Sequence, residues 1–408
     1  MEIANKKHNS SRISVIDLCP YWTWPTTGGG PERVYHLNKV AAQSVDIIQA
    51  SIRPTIGHQK GGIKNWVGNR SYQHAPGYQE NQYFNALILA TCYLLYKGGR
   101  HSDLYLSNLL ETFGTKAIKQ IIEKSDVIQV EHPWLFEYAA RNSKGRPIVF
   151  VAHNVEANLW EAPVNNKKQR RSTKDLEQFA AKSANAVVCM SDQDAGVFTS
   201  CYGIDPQKIT VIPNGADFRF SKNITQERKL EAKRKLQLEG KFVILFAGSD
   251  HFPNKEALNF IQEWQTLLRG EPNIQFVVIG TVGRGVQSTA NLRIEGFVED
   301  ASTYFLAADI ALNPLVSGSG TSLKIVDYLS YQLPTITTET GIRGLSLKPD
   351  YDVLLSEIPN FPHHILDLYK NHTQKSYLGK NGSETVRKLY SWEDLGRRMV
   401  SVYERVKP

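Results

Sequence analysis

The chain has 408 residues, a net charge of +8 from 48 basic and 40 acidic side chains, and 41% apolar residues. This length predicts two domains with separate cores, and the composition excludes a disordered, fibrous or disulfide-built protein. The four cysteines show neither CxxC pairs nor zinc-ligand spacing, which indicates reduced thiols. Residues 1–12 lack the apolar core of a signal peptide, and the longest apolar run is too short to span a membrane. We therefore expect a cytoplasmic protein, with peripheral contact at the inner face of a membrane left open.

One dense run of positive charge, KKQRR at 167–171, falls in a polar stretch between two patterned segments. Such a run is either a solvated loop or a docking surface for an anionic partner. No zinc-finger spacing, aromatic–basic strand pattern or basic helix followed by heptads accompanies it. Charge alone therefore does not predict nucleic acid as a partner.

Short strands rich in β-branched residues alternate with helical patterns through the first half of the chain. The predicted strands are 12–18, 45–51, 127–130, 148–152, 186–190 and 208–212. A glycine turn at 28–30 follows the first strand, and Pro31 suits the first turn of a helix that reaches about Gln43. Near-continuous apolar strands separated by helices predict a parallel sheet covered on both faces.

The pattern restarts after the turn residues Asn214 and Gly215 and a charged stretch at 222–241. The second series has predicted strands at 243–247, 275–279, 310–313, 335–337 and 353–356, and a helix at 254–268. We expect two doubly wound α/β domains, with a boundary near 214–222 and a substrate in the cleft between them. The amphipathic segment 392–406 is either the last helix of the second domain or a helix that returns to the first.

Two clusters of residues at predicted strand ends of the first domain are candidate ligand-binding positions. The glycine turn at 28–30 lets a ligand approach the backbone at a helix N-terminus, although a flexible loop explains it equally well. His153 ends the strand at 148–152 and is placed to donate to a substrate oxygen, and Glu131-His132-Pro133 ends the preceding strand. A purely structural histidine is the alternative.

Two further clusters fall in the second domain. Gly318-Ser319-Gly320-Thr321 precedes a helix with Lys324 and Asp327, which favours an anion site where the lysine meets phosphate and the carboxylate accepts from ribose hydroxyls. An N-capped surface helix is the alternative. The segment 248–255 connects a strand to a helix, and its Lys255 is either a phosphate ligand or a solvated side chain.

Together these residues resemble the retaining, nucleotide-sugar-dependent glycosyltransferases of family 4, which have the GT-B fold. The resemblance covers residues from about 12 to 406 and depends on the order and spacing of the motifs. They are the glycines at 28–30, HNVE at 153–156, VIPNG at 211–215, FAG at 246–248 with Lys255, EGFV at 295–298, GSGTSLKIVD at 318–327 and SWE at 391–393. The resemblance implies two Rossmann-like, doubly wound parallel-sheet domains facing across a cleft. Residues 1–215 with the crossover helix 392–408 would form the acceptor side, and residues 216–391 the donor side.

The resemblance also implies roles for individual residues. His153, Lys255 and Asp327 would be catalytic, at the transferred sugar or acceptor, at the diphosphate and at the ribose respectively. The donor site would further include Gly29, Gly30, Ser249, Phe297, Val298, Ser319, Gly320, Thr321 and Lys324. Ser319 stands where the family usually has a glutamate, and Ser249 where an arginine is common, which leaves the identity of the sugar open.

The expected reaction moves a sugar from a nucleotide diphosphate to a glycan, lipid-linked or small-molecule acceptor, with retention and with domain closure about 214–215. Fixed cations and oriented amides would stabilise the departing diphosphate, so no metal or other cofactor is expected. The alternatives are another GT-B activity, either a nucleotide-sugar epimerase or a phosphorylase, or a non-catalytic nucleotide-sugar or glycan-binding protein. The apolar run at 84–96, followed by Lys97 and Arg100, is either a buried core helix or a segment that docks on anionic lipid near 167–171.

Overall fold

The computed structural model describes residues 12–26, 29–52, 68–159, 167–216, 218, 224–318 and 321–408. The chain divides into two compact units, Met1–Pro213 with Trp392–Pro408 and Asn214–Ser391. The sequence analysis placed the boundary between residues 215 and 216, close to this division. Each unit is an α/β sheet with its own core.

The first unit contains an eight-stranded sheet in which all neighbours are parallel except one edge hairpin. Its strands are β1 (Ser14–Cys19), β2 (Asp46–Ser51), β3 (Arg70–Ala75), β4 (Tyr78–Gln82), β5 (Val127–Glu131), β6 (Ile148–Val151), β7 (Ala186–Cys189) and β8 (Ile209–Val211). Their order is β3-β4-β2-β1-β5-β6-β7-β8. Ile16 and Leu18 pack into one apolar cluster and Val15 into another, so both faces of β1 are buried.

Eight helices connect the described strands of this unit: α1 (Gly29–Ala41), α2 (Ala86–Lys97), α3 (Leu106–Phe113), α4 (Lys116–Lys124), α5 (Phe136–Asn142), α6 (Glu156–Leu159), α7 (Lys167–Ser183) and α8 (Asp192–Tyr202). The basic run at 167–171 begins α7, so of its two alternatives the loop is wrong. Of the two alternatives for the run at 84–96, the buried core helix is wrong. Only Ile88 and Cys92 of α2 are buried, because the helix lies on the surface of the unit.

The second unit contains a six-stranded, fully parallel sheet. Its strands are β9 (Phe242–Ala247), β10 (Ile274–Ile279), β11 (Leu292–Gly296), β12 (Ile310–Asn313), β13 (Thr335–Thr337) and β14 (Leu354–Leu355), in the order β11-β10-β9-β12-β13-β14. Its helices are α9 (Gln226–Lys235), α10 (Phe252–Leu267), α11 (Ser302–Ala307), α12 (Leu323–Ser330), α13 (Phe361–Lys370) and α14 (His372–Leu389). The charged stretch at 222–241 thus contains a helix, capped by Thr225.

The terminal helix α15 (Trp392–Val406) lies in the first unit, against α1. The indole of Trp392 stacks on the ring of His36 with centroids 5.2 Å apart. A Cβ on Gly396 would lie 2.4 Å from the Cγ1 atom of Val40, so the two helices approach too closely there for a larger residue. The chain therefore returns to the first unit at its end.

In each sheet, the order in which successive strands are added reverses beside one central strand. β1 pairs with β2 on one side and β5 on the other, and β9 pairs with β10 and β12. In doubly wound sheets a crevice for ligands forms at the carboxyl ends of the strands at this switch point. We therefore expect functional side chains at the carboxyl ends of β1, β5 and β6 in the first unit. In the second unit we expect them at the carboxyl ends of β9 and β12. The predicted architecture of two doubly wound parallel sheets is confirmed.

Candidate active site

In the first unit, two carboxylate–histidine pairs lie side by side at the ends of β5 and β6. Glu131, the last residue of β5, accepts a hydrogen bond from Nε2 of His153, which lies just beyond β6. Glu156, the first residue of α6, accepts a hydrogen bond from Nδ1 of His132 at 2.8 Å. The two imidazole rings stack with their centroids 4.1 Å apart. The predicted site residue His153 is therefore held by a buried carboxylate beside a second histidine.

The buried position of His153 determines its protonation. Burial, and then the neighbouring ring of His132, lower the pKa of His153 to about 4, so its imidazole is neutral at pH 7. Because Nε2 donates to Glu131, Nδ1 is the hydrogen-bond acceptor of the ring. This atom lies 4.0 Å from the position that a Cβ would take on Gly30. His153 therefore presents a hydrogen-bond acceptor to substrate and not the donor expected from the sequence. Its proton-bearing nitrogen already donates to Glu131.

The glycine turn lies next to these pairs. Gly29 and Gly30 are the first residues of α1, and Gly28 lies outside the described residues. A Cβ on Gly30 would lie 2.7 Å from the hydroxyl oxygen of Tyr21, a distance that Cβ atoms essentially never show. The Tyr21 hydroxyl group lies 3.3 Å from Nε2 of His132. Sequence reasoning missed Tyr21, and its place just after the end of β1 was the available signal.

In the second unit, Lys324 is a partly buried cation at the start of α12. Its Nζ donates to the Oδ1 atom of Asn254 at 2.5 Å and lies 4.5 Å from the centre of the Phe246 ring. Burial lowers the pKa of Lys324 to about 7, and no charged group in the described part of the chain offsets this effect. A buried charge is costly unless an opposite charge accompanies it. The position therefore suits an anionic ligand.

Asn254 joins Lys324 to the loop that follows β9. Its Nδ2 donates to the backbone oxygen of Ser249 at 3.1 Å and to the Ser249 hydroxyl group at 3.4 Å. A Cβ on Gly248 would lie 3.1 Å from the Asn254 side chain, which would then have to shift by a few tenths of an ångström. Ser249 and Lys324, predicted from separate motifs, thus share one partner. Sequence reasoning missed Asn254, although it directly precedes Lys255.

Two other predicted donor residues are paired within the second unit. Lys255 forms an ion pair with Asp250 at 2.6 Å, and its side chain is 57% exposed. It is therefore a solvated, paired lysine in this structure, and a phosphate ligand would have to displace Asp250. Thr321 accepts a hydrogen bond on Oγ1 from Nδ2 of Asn214 at 3.1 Å.

The remaining predicted residues follow β11 and β12. Asp327 lies one turn after Lys324 in α12, where side chains three residues apart share a face. Phe297, just beyond β11, is 61% exposed, whereas Val298 packs against an apolar cluster. Ser319 and Gly320 lie outside the described residues.

Among the residues that the structure describes, no three His, Cys, Asp or Glu side chains are grouped so that they could hold a metal ion. No helix within those ranges has the length and apolar character needed to cross a membrane.

Two family models match successive parts of the chain. The model of Glycosyltransferase Family 4 matches residues 77–220, and the model of Glycosyl transferases group 1 matches residues 241–371. Among curated proteins, the UDP-Gal:alpha-D-GlcNAc-diphosphoundecaprenol alpha-1,3-galactosyltransferase of Escherichia coli is 26% identical over 276 residues, covering 61% of this chain and 69% of that protein. The D-inositol 3-phosphate glycosyltransferase of Actinosynnema mirum is 29% identical over 178 residues, 41% of each chain.

Solved structures share the fold at low sequence identity. The Anabaena protein HepE in complex with UDP has a TM-score of 0.67 and 13% identity, covering 97% of this chain and 100% of that one. The sucrose-phosphate synthase of Thermosynechococcus elongatus has a TM-score of 0.66 and 13% identity, covering 97% and 99%. The predicted GT-B fold is thereby confirmed. With polar side chains at both switch points and both family models matched, the chain belongs to glycosyltransferase family 4 and is a GT-B glycosyltransferase that uses a nucleotide-sugar donor.

Proposed function

We propose that this enzyme transfers a hexosyl group from a UDP sugar to a lipid-linked glycan acceptor, with retention at the anomeric carbon. The observation that carries the proposal is Lys324, a partly buried lysine whose charge no carboxylate balances within the described ranges. The leaving diphosphate gains negative charge as its bond to the sugar breaks. A fixed cation at the start of a helix stabilises that charge without reorganisation.

The donor would occupy the carboxyl ends of β9 and β12. Lys324 would meet the diphosphate, and Asp327, on the same face of α12, would accept hydrogen bonds from the ribose hydroxyls. Lys255 would exchange Asp250 for a phosphate oxygen, at small cost because an exposed ion pair contributes little stability. Phe297, whose side chain is exposed, would lie beside the nucleobase.

The carboxylates of the first unit bear on the route by which a retaining transfer would proceed. Glu131 and Glu156 are each occupied by a histidine, so neither is presented as a nucleophile for a covalent intermediate. With retention, the proposed route is therefore a single displacement on one face of the sugar. The acceptor oxygen bonds to the anomeric carbon as the bond to the diphosphate breaks, and the acceptor proton passes to a diphosphate oxygen.

The lipid-linked acceptor is supported by the E. coli relative, whose name specifies a diphosphoundecaprenol-linked sugar, and by α2. Most apolar side chains on α2 point to solvent, with exposures of 52% to 73%: Leu87, Tyr93, Leu94 and Tyr96. Lys97 and Arg100 follow them, and residues 84–101 contain no acidic side chain. An exposed apolar helix with a basic end suits the surface of an anionic bilayer, where the acceptor would reside.

Titration with nucleotides and a product analysis test the proposal. We expect UDP to bind in preference to GDP and ADP, and Lys324→Met to weaken binding at least tenfold. Lys375→Met is the matched control, because Lys375 is also half-buried over a phenylalanine ring, 4.7 Å from Phe242, at the opposite end of β9. With UDP-galactose and GlcNAc-diphosphoundecaprenol, NMR of the product should show an α-linkage. Unchanged UDP affinity in Lys324→Met, or an inverted product, would refute the corresponding part of the proposal.

A further inference from the structure

We propose that Tyr21 binds a sugar hydroxyl group of the substrate beside Gly30 and His153, and that His132 and Glu156 hold Tyr21 as a hydrogen-bond acceptor. The inference rests on the proposed glycosyl transfer and assigns one part of the substrate to the first unit. Tyr21 would contact the substrate, and His132 and Glu156 would be positioning residues.

The backbone of His132 indicates that its position serves more than packing. His132 has φ 62° and ψ 165°, a region that essentially only glycine occupies. The other non-glycine residues with positive φ in the described ranges all lie in turns: Lys144, Gln237, Gln332 and Asp350. Strain of this kind costs on the order of 1–3 kcal/mol and persists where surrounding contacts impose it, which is typical of functional sites.

Three contacts impose the position of the His132 side chain. Nδ1 bonds to Glu156 at 2.8 Å, Nε2 lies 3.3 Å from the Tyr21 hydroxyl group, and the ring stacks on His153. A carboxylate only accepts hydrogen bonds, so Nδ1 carries a proton, and in the neutral imidazole Nε2 accepts from the Tyr21 O–H. The hydroxyl proton of Tyr21 therefore points to His132, and its oxygen lone pairs are left for another donor.

Glu156, the hydrogen-bond partner of His132, is itself held in place by buried groups. The backbone N–H of Glu156 donates to Oε1 of Glu177 at 2.7 Å, and the hydroxyl group of Tyr202 donates to Oε2 of Glu177 at 2.6 Å. Glu177 and Tyr202 are buried in α7 and α8. Hydrogen-bonded supports of this kind keep the groups that they orient in one geometry.

Tyr21 and His153 each present one hydrogen-bond acceptor to a ligand. The Tyr21 oxygen and Nδ1 of His153 lie 2.7 Å and 4.0 Å from one point, the Cβ position of Gly30. Burial, and then the nearby Cys19 and carboxylates, raise the pKa of Tyr21, so the phenol keeps its proton. Two neutral acceptors attract hydroxyl donors, whereas the oxygens of a diphosphate carry only lone pairs. The position beside Gly30 is therefore suited to adjacent hydroxyl groups of a sugar.

Tyr21→Phe is the direct test, with Tyr138→Phe as control because the buried Tyr138 hydroxyl has no partner in the described residues. We expect Tyr21→Phe to keep the affinity for UDP within twofold and to lower kcat/KM for the UDP sugar about tenfold, the value of one buried hydrogen bond. If hydrolysis of the donor without acceptor falls equally, the hydroxyls belong to the transferred sugar. If only transfer falls, they belong to the acceptor. Unchanged kinetics, or a parallel loss of UDP affinity, would overturn the inference.

Two further variants, His132→Gly and Gln237→Gly, test whether His132 and Glu156 position Tyr21, with Tm as a readout besides activity. His132→Gly relieves backbone strain but leaves the buried Glu156 without its partner, so we expect its Tm to lie close to or below that of the parent while kcat/KM falls as in Tyr21→Phe. Gln237→Gly relieves positive φ in a turn and should leave activity unchanged. A fall in the Tm of His132→Gly with kcat/KM retained would make His132 purely structural. If the parent binds no nucleotide sugar, the proposed function fails, and NMR titration of parent and Tyr21→Phe with free hexoses still tests the hydroxyl site.

Discussion

Lys324 donates to the side-chain oxygen of Asn254 at 2.5 Å while its ammonium group lies over the ring of Phe246. An amide dipole and an aromatic face stabilise a cation only in part, so burial prevails and lowers the pKa of Lys324 to about 7. A bound diphosphate would restore the charged form by adding a nearby negative charge. Lys324 thereby couples nucleotide binding to proton uptake.

The coupling predicts how the affinity for UDP varies with pH. Above pH 7 the free enzyme holds Lys324 largely neutral, whereas the complex holds it charged, so binding takes up a proton. The affinity should therefore fall by up to about tenfold per pH unit between pH 7 and 9. Calorimetry in buffers of different ionisation enthalpy measures the proton taken up. Lys324→Met should abolish the dependence, and Lys255→Met, which removes an exposed lysine, should weaken binding and retain it. A flat profile in the parent would contradict this role.

The exposed face of α2 predicts binding to anionic vesicles. Leu87→Ser and Leu94→Ser together remove two side chains that are 58% and 69% exposed, so the folded state loses little packing. We expect co-flotation with phosphatidylglycerol-containing vesicles to fall at least tenfold while Tm stays constant, because inserted apolar area is lost. Leu267→Ser is the control, since Leu267 is 70% exposed on α10. Equal flotation of the double variant and the parent would exclude α2 as the docking element.

The buried strands could be predicted from sequence because both of their faces are apolar, as in β9 and β12. The edge hairpin of β3 and β4 could not. Its Glu80 is fully buried and accepts hydrogen bonds from the backbone N–H of Thr23 at 3.0 Å and the hydroxyl group of Ser51 at 2.8 Å. These partners are distant in the chain, so a local pattern shows only polar residues.

In the candidate site, too, some residues follow from a local sequence pattern, whereas others depend on partners distant in the chain. His153 and Lys324 follow from their places at a strand end and a helix start, which sequence patterns locate. Tyr21 and Asn254 act through contacts with residues far along the chain, to His132 and Lys324. No spacing rule relates such pairs, and only the folded chain brings them together.

Gly30→Ala separates the function of the glycine turn from its effect on stability. The added methyl group would displace the Tyr21 hydroxyl group, the end of a side chain that can move at small cost, so the fold should lose little. We expect Tm to change by a few degrees at most and kcat/KM to fall about tenfold. Gly196→Ala in α8 is the control, because a Cβ there meets no atom within 4 Å and alanine favours a helix by roughly 1 kcal/mol. Full activity of Gly30→Ala would show that Tyr21 is not required at this place.

Tyr403→Phe tests whether the terminal helix orients His153. The Tyr403 hydroxyl group donates to Oε1 of Gln129, Nε2 of Gln129 donates to Glu131 at 2.6 Å, and Glu131 accepts from His153. Removing the hydroxyl leaves the buried Gln129 oxygen without this donor, so the free energy of unfolding should fall by about 1 kcal/mol. We expect kcat to fall several-fold with an unchanged Kd for UDP, because the loss loosens His153 and not the donor phosphates. Denaturant titration and steady-state kinetics measure both quantities. A loss of stability with full kcat would restrict Tyr403 to holding α15 on the first unit.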